Sequence, residues 1–247
     1  MKEVTQNTII LTKVDSSNNY AIKLINSGKA VHGTVVLALC QENGRGRGGN
    51  VWESAFGMNL LASIIIFPGF LTADKQFYLS KITSLALVDL LSKETGGITI
   101  KWPNDIYVGE EKIGGILIEN MIRGNYIESS VTGIGLNLNQ TDFSPALPNP
   151  VSLKLITEKD YRIESVMDSL RKKFFFWYDK LHAGKLKEID ARYYGRLFRR
   201  NIWSLFKKGD EIIEGRISGI GKYGQLIIEK RSGGISEYMF NEIEFVI

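Results

Sequence analysis

The chain has 247 residues, 44% of them hydrophobic and 23% charged, with a net charge of +4, the balance of an ordinary folded protein rather than a disordered or fibrous one. A single cysteine, Cys40, excludes an internal disulfide and a thiolate-rich zinc site. No apolar run approaches the ~20 residues needed to cross a bilayer, and no secretion signal opens the chain, so a cytoplasmic protein is expected.

Residues 8–14 read as a strand, and Asp15-Ser16-Ser17-Asn18 supplies capping side chains for a helix from about Asn19 to Ser27. A second strand, 34–40, runs into Gln41-Glu42-Asn43-Gly44-Arg45-Gly46-Arg47-Gly48-Gly49-Asn50-Val51-Trp52. Glycines let a backbone come close to an anion, and guanidiniums fork onto phosphate or carboxylate oxygens, so the loop suits a nucleotide or an activated acid. It is not a phosphate loop of the Gly-Lys-Ser/Thr kind. An RNA-binding arginine–glycine tract and a plain surface loop remain open at this point.

A strand at 58–66 and a helix from about Lys75 to Lys93 follow, the helix with an apolar stripe at Leu79, Ile82, Leu85, Ala86, Leu90 and Leu91. A short strand, 98–101, leads into the turn Trp102-Pro103-Asn104-Asp105, and strands 106–108 and 113–119 form a hairpin. Two more strands, 126–132 and 134–139, precede a proline-rich loop and a long amphipathic helix marked by Ile163, Met167, Leu170, Phe174, Trp177 and Leu181. The pattern is α+β, a mixed and largely antiparallel sheet with flanking helices. Short β-like runs at 210–216, 225–229 and 237–246 then indicate a small C-terminal barrel, placing the domains at 1–198 and 199–247.

Lys101, at a strand end before a rigid turn, is the first chemical candidate. With Arg45 and Arg47 it puts three cations around one pocket, which an anionic substrate or transition state would compensate. Gly114 and Gly115 sit inside a strand, where glycine is costly unless something must approach closely. Asn137 can pair with a purine edge, and Trp52 offers a flat face for a base, although a tryptophan also serves simply to cover a core. Neither histidine has an acid/base or metal partner in the sequence pattern, so hydrolytic and zinc chemistry are disfavoured. Residues 1–150 hold 12 basic against 13 acidic residues and 151–247 hold 19 against 14, so the basic excess lies away from the glycine loop.

Together these motifs resemble the biotin protein ligases. The resemblance rests on Asp15-Ser16-Ser17-Asn18, on Gln41 with Gly44-Arg45-Gly46-Arg47, and on Trp52 followed by Ser54 and Asn59-Leu60. It extends through Lys101-Trp102-Pro103-Asn104-Asp105, Lys112-Ile113-Gly114-Gly115-Ile116-Leu117-Ile118-Glu119 and Gly133-Ile134-Gly135-Leu136-Asn137. Gly48 and Asn50 stand where many members carry arginine. The resemblance implies a catalytic fold followed by an SH3-like barrel, without the DNA-binding domain found in some members. It implies ATP with Mg²⁺ as co-substrate, biotin as substrate, and a biotin carboxyl carrier domain as acceptor. By resemblance, Lys101, Arg47 and Arg45 are catalytic. Ser16, Ser17, Asn18, Gln41, Arg45, Gly46, Arg47, Lys101, Gly114 and Gly115 would contact biotin, and Arg47, Trp52, Lys101, Asn104 and Asn137 would contact ATP. No metal ligand is assigned, no DNA or membrane partner is expected, and a homodimer is allowed. A lipoate or octanoate ligase or transferase of the same fold is the alternative, with a nucleic-acid-binding protein behind it.

Overall fold

The computed structural model describes residues 7–246. Strands β1 (Thr8–Leu11), β2 (Val35–Ala38), β3 (Leu60–Ile66), β4 (Ile98–Lys101), β5 (Asp105–Val108), β6 (Glu111–Arg123) and β7 (Tyr126–Leu136) form one seven-stranded sheet in the order β1-β2-β3-β7-β6-β5-β4. Only β1 and β2 run parallel; every other pair is antiparallel. The parallel pair is joined through helix α1 (Ser17–Asn26), the kind of crossover a parallel connection demands. The two strands expected at 126–132 and 134–139 are one, β7, which runs unbroken to Leu136 because Gly133 and Gly135 keep their ladder partners Leu117 and Gly115; residues 137–139 lie beyond it.

The two faces of the sheet differ. On one side α2 (Phe77–Leu91) and α4 (Ile163–His182) pack over Ile64, Ile116, Ile134 and Leu136 to make the main core. Helix α2 is buried around most of its circumference rather than along one stripe, because it also meets α5 (Leu186–Gly195). A short helix, α3 (Leu153–Thr157), follows the proline-rich loop. The opposite face carries only α1, over a small cluster of Ala21, Val36, Ile65 and Val131. Among the described residues no other helix covers that face, and it receives the side chains of the candidate site.

Strands β8 (Ser204–Lys208), β9 (Glu211–Ile220), β10 (Leu226–Lys230), β11 (Ile235–Tyr238) and β12 (Glu244–Phe245) form a second, fully antiparallel sheet in the order β11-β10-β9-β8-β12, compatible with an SH3-like barrel. Its apolar residues Phe206, Ile213, Leu226 and Ile228 join the main core cluster. The link is specific: buried Trp102 donates from Nε1 to the Gly224 carbonyl at 2.8 Å. The outer edge of β4 is closed by residues 196–198, through Ile100 N–H to the Arg196 carbonyl at 2.7 Å and Phe198 N–H to the Ile100 carbonyl at 2.9 Å. Among the described residues no helix is long and apolar enough to cross a membrane.

Candidate active site

Ser16, Ser17 and Asn18 occupy helix-start positions but do not act as the capping side chains their types suggest. The helix begins at Ser17, and Ser16, at the N-cap, makes no side-chain cap bond. All three are at least 96% buried at the uncovered face of the sheet. Ser63 on β3 lies with Oγ 2.6 Å from Asn18 Oδ1 and 2.8 Å from Ser17 Oγ. A hydroxyl carries one proton, so donating to Asn18 leaves Ser63 to accept from Ser17. Asn18 Nδ2 in turn donates to the Glu119 carboxylate at 2.8 Å and to the Leu117 carbonyl at 3.2 Å. Gln41 accepts the Ser17 N–H through Oε1 at 2.7 Å, which turns its amide nitrogen away from that contact. The cluster is thus held from β3, from β6 and by Gln41 beyond the end of β2 before any ligand arrives.

The floor is made of glycines. Gly115 pairs with Gly135, and Leu117 with Gly133, across β6 and β7. A methyl at Gly133 would collide with the Asn18 amide, and one at Gly135 would collide with the Trp52 indole. Here lies the physical need for glycine inside these strands: backbone must be bare for Asn18 and Trp52 to lie against it. The loop is a small hairpin, with Gly46 N–H on the Asn50 carbonyl at 2.6 Å and Trp52 N–H on the Gly44 carbonyl at 2.9 Å. Its tip turns at Gly48 and Gly49, with φ of +66° and +86°.

Two adjoining cavities result. The first, of about 130 Å³, is lined by Ser16, Ser17, Asn18, Gln41, Arg45, Gly46, Arg47, Trp52, Asn104 and the glycine floor. The second, of about 490 Å³, is lined by Trp52, Lys101, Asp105, Tyr107, Lys112, Asn137 and the proline-rich loop 146–150. Trp52, Asp105 and Lys112 border both, so the indole is a partition. Burial pulls Lys101 below the usual lysine range, partly opposed by Asp105. Its Nζ lies 3.0 Å from Tyr107 Oη. Burial likewise lowers Arg47, again opposed by Asp105. Asp105 also forms a 2.8 Å ion pair with Lys112.

The expectation of three cations in one pocket is modified. Arg45 is compensated within the protein, by Glu119 at 2.6 Å, whereas Arg47 borders the first cavity and Lys101 the second. Gly115 is in the floor; Gly114, one residue away, faces the other side, against Leu136 and Ile106. Asn104 borders the first cavity rather than the second, and its Nδ2 donates to the Ile116 carbonyl at 3.2 Å. Asn137 Nδ2 is engaged by the Val151 carbonyl at 3.0 Å, which leaves the amide oxygen for a donor in the second cavity. Asn59 braces the strand end instead, accepting Leu138 N–H at 2.9 Å. Sequence reasoning gave no site role to Ser63, Glu119, Lys112 or Tyr107. For Glu119 and Lys112 the signal was present, since they close the two ends of one motif. For Ser63, in an apolar strand, there was none.

Residues 11–137 match the Biotin/lipoate A/B protein ligase family. The Biotin--[acetyl-CoA-carboxylase] ligase of Paracoccus denitrificans is 31% identical over 228 residues, covering 88% of this chain and 92% of that protein. The Bifunctional ligase/repressor BirA of Escherichia coli K12 is 33% identical over 132 residues, covering 52% of this chain and 40% of the repressor. The structure of the biotin protein ligase from Aquifex aeolicus in complex with biotin and ATP is similar at a TM-score of 0.81 and 26% identity, over 97% of this chain and 98% of that one.

Proposed function

The chain belongs to the biotin/lipoate A/B protein ligase family, and we infer from that membership and from the two adjoining cavities that it is a biotin ligase. It activates biotin with ATP to biotinyl-5′-AMP and transfers the biotinyl group to a lysine of a biotin carboxyl carrier protein. The observation that carries this reading is the partition by Trp52. One small cavity walled by hydroxyls, amides and arginine abuts a larger one holding a half-buried lysine, so an acid and a nucleotide phosphate would meet at the seam.

In the proposed first step a biotin carboxylate oxygen attacks the α-phosphorus, and the bond from that phosphorus to the pyrophosphate oxygen breaks. Two anions must approach, and Arg47 and Lys101 offset their repulsion from either side of Trp52. Both are partly desolvated, which strengthens their field, and Asp105 offsets only part of it before substrate arrives. Ser16, Ser17 and Gln41 address the polar ring of biotin, with Asn18 fixing the wall behind it. Trp52 and the Asn137 amide oxygen take adenine. In the second step the carrier lysine amine attacks the carbonyl carbon of the mixed anhydride, AMP leaves, and the amine proton passes to a nearby oxyanion. Asp105, at the seam, is proposed as that acceptor.

Mg²⁺ is proposed to enter as part of the Mg·ATP substrate. The reading extends to a cytoplasmic enzyme that needs no DNA, with residues 1–198 as the catalytic domain and 199–247 as the barrel domain. The test is pyrophosphate release from Mg·ATP with biotin, lipoate or octanoate, with Lys101→Ala as control. Release that depends on biotin and disappears in the variant is expected; release with lipoate or octanoate alone would overturn the substrate assignment.

A further inference from the structure

We infer that Phe240, in the turn between β11 and β12 of the C-terminal sheet, is a positioning residue for adenylate formation, holding the Arg47 guanidinium and with it the glycine loop. The inference rests on the role proposed above for Arg47. The two loop arginines are secured by different means. Arg45 is tied to a carboxylate, Glu119. Among the described residues Arg47 makes no ion pair; its guanidinium carbon lies over the Phe240 ring, 3.9 Å from the centroid. The difference matters chemically. A carboxylate would neutralise the cation and occupy its in-plane N–H donors, whereas an aromatic face attracts the cation without accepting those hydrogen bonds. Arg47 is therefore restrained while its donors stay available for phosphate or carboxylate oxygens.

The ring is itself well anchored. It stacks on Trp102 at 5.3 Å and 28°, and contacts Phe77 at 5.7 Å. Trp102 is 4% exposed, directly follows Lys101, and is bonded through Nε1 to Gly224. The turn that presents Phe240 is closed by Met239 N–H to Glu242 Oε2 at 2.6 Å. A second aromatic of the same sheet, Phe245, lies 5.6 Å from Lys101 Nζ. The sheet that follows the catalytic segment in sequence thus reaches both proposed catalytic cations. Without Phe240 the tip, which turns on two glycines with positive φ, would have lost a contact that holds Arg47 over the first cavity.

The experiment uses the full chain with Phe240 replaced by phenylalanine carrying one, two, three or five ring fluorines, which retains the shape and progressively removes the attraction for a cation. Phe240→Leu and Arg47→Ala are measured beside it. Biotin-dependent pyrophosphate release gives kcat and the KM for biotin, and trypsin cleavage after Arg47 in biotin-free protein reports the loop. With increasing fluorination kcat is expected to fall stepwise to about one tenth, the size of a partly desolvated cation–π contact. Cleavage after Arg47 should rise in parallel, with the KM for biotin within about twofold and Tm unchanged. Indifference of kcat and cleavage to fluorination would overturn the inference, as would a loss in Phe240→Leu that follows Tm alone. Should Arg47→Ala retain full adenylate synthesis, the role of Arg47 fails, and this inference with it. Should Arg47→Ala be inactive while fluorination has no effect, Phe240 alone is refuted.

Discussion

Replacing Gly133 by alanine is expected to damage the biotin side of the site while sparing the nucleotide side. The added methyl would collide with Asn18 Oδ1 and stand 2.9 Å from both Cγ and Nδ2 of the same amide. The backbone has little room to yield, because β7 is paired on both sides, to β3 and β6. Asn18 must therefore turn out, losing contacts with Ser63 at 2.6 Å, Glu119 at 2.8 Å and the Leu117 carbonyl at 3.2 Å. A neutral hydrogen bond contributes about 1 kcal/mol and one to a carboxylate about 1.5–3 kcal/mol, so the net loss should be roughly 2–4 kcal/mol after partial rearrangement. For a chain of this size that lowers Tm by about 5–12 °C. The displaced amide also intrudes into a cavity of only about 130 Å³. Biotin affinity should fall by about 30-fold or more, equivalent to ~2 kcal/mol, with the KM for ATP within about twofold. Titration calorimetry with biotin and thermal unfolding check this, with Gly69→Ala as control, since nothing lies within 4 Å of a methyl there. A Gly133→Ala protein that binds biotin like the wild type and melts within about 1 °C of it would refute the reasoning.

Lys101→Ala should abolish biotin-dependent pyrophosphate release while the protein melts within a few degrees of wild type, because Lys101 is half-buried at a cavity wall rather than in the core; normal turnover in the folded variant would remove its role. Since burial holds the Lys101 pKa below 10.5, kcat/KM for adenylate formation should decline with rising pH before an ordinary lysine would titrate, and Lys101→Arg should lack that limb. The matching stability effect has the opposite sense: between the lowered folded pKa and the unfolded value the unfolded chain binds more protons, so this group's contribution to stability rises with pH across that window. Trp52→Ala should weaken ATP more than biotin; equal losses, measured by separate titrations, would make the indole only a wall. Ser152→Ala should cost about 1 kcal/mol in denaturant unfolding without affecting turnover, because its Oγ accepts Leu155 N–H at the start of α3.

Much of the candidate site was legible because it is local. Glycine where backbone must be approached, arginine beside it, a lysine at a strand end before a proline turn: each is a property of a short segment, and the segments that carry them lie along the rims of the two cavities. Residue type misled where one type serves two purposes. The Asp15–Asn18 run read as a helix cap, yet the helix starts without a side-chain cap at Ser16, and the Ser17 hydroxyl and the Asn18 amide are committed to Ser63 and Glu119. Gly133 was expected to break the strand, yet the strand continues through it and Gly135, whose missing side chains make room for Asn18 and Trp52.

The sequence by itself determined the α+β class, the family and the chemical types gathered at the site, since hydrophobic period and motif order depend on neighbours in the chain. Only the tertiary structure decided how those groups are divided. That Arg45 meets Glu119 while Arg47 meets Phe240, that Trp52 separates Arg45 from Lys101, and that the C-terminal sheet touches both proposed catalytic cations are all contacts between residues far apart in sequence. Such contacts are set by strand register and by the packing of one sheet against the other, and no local pattern encodes them.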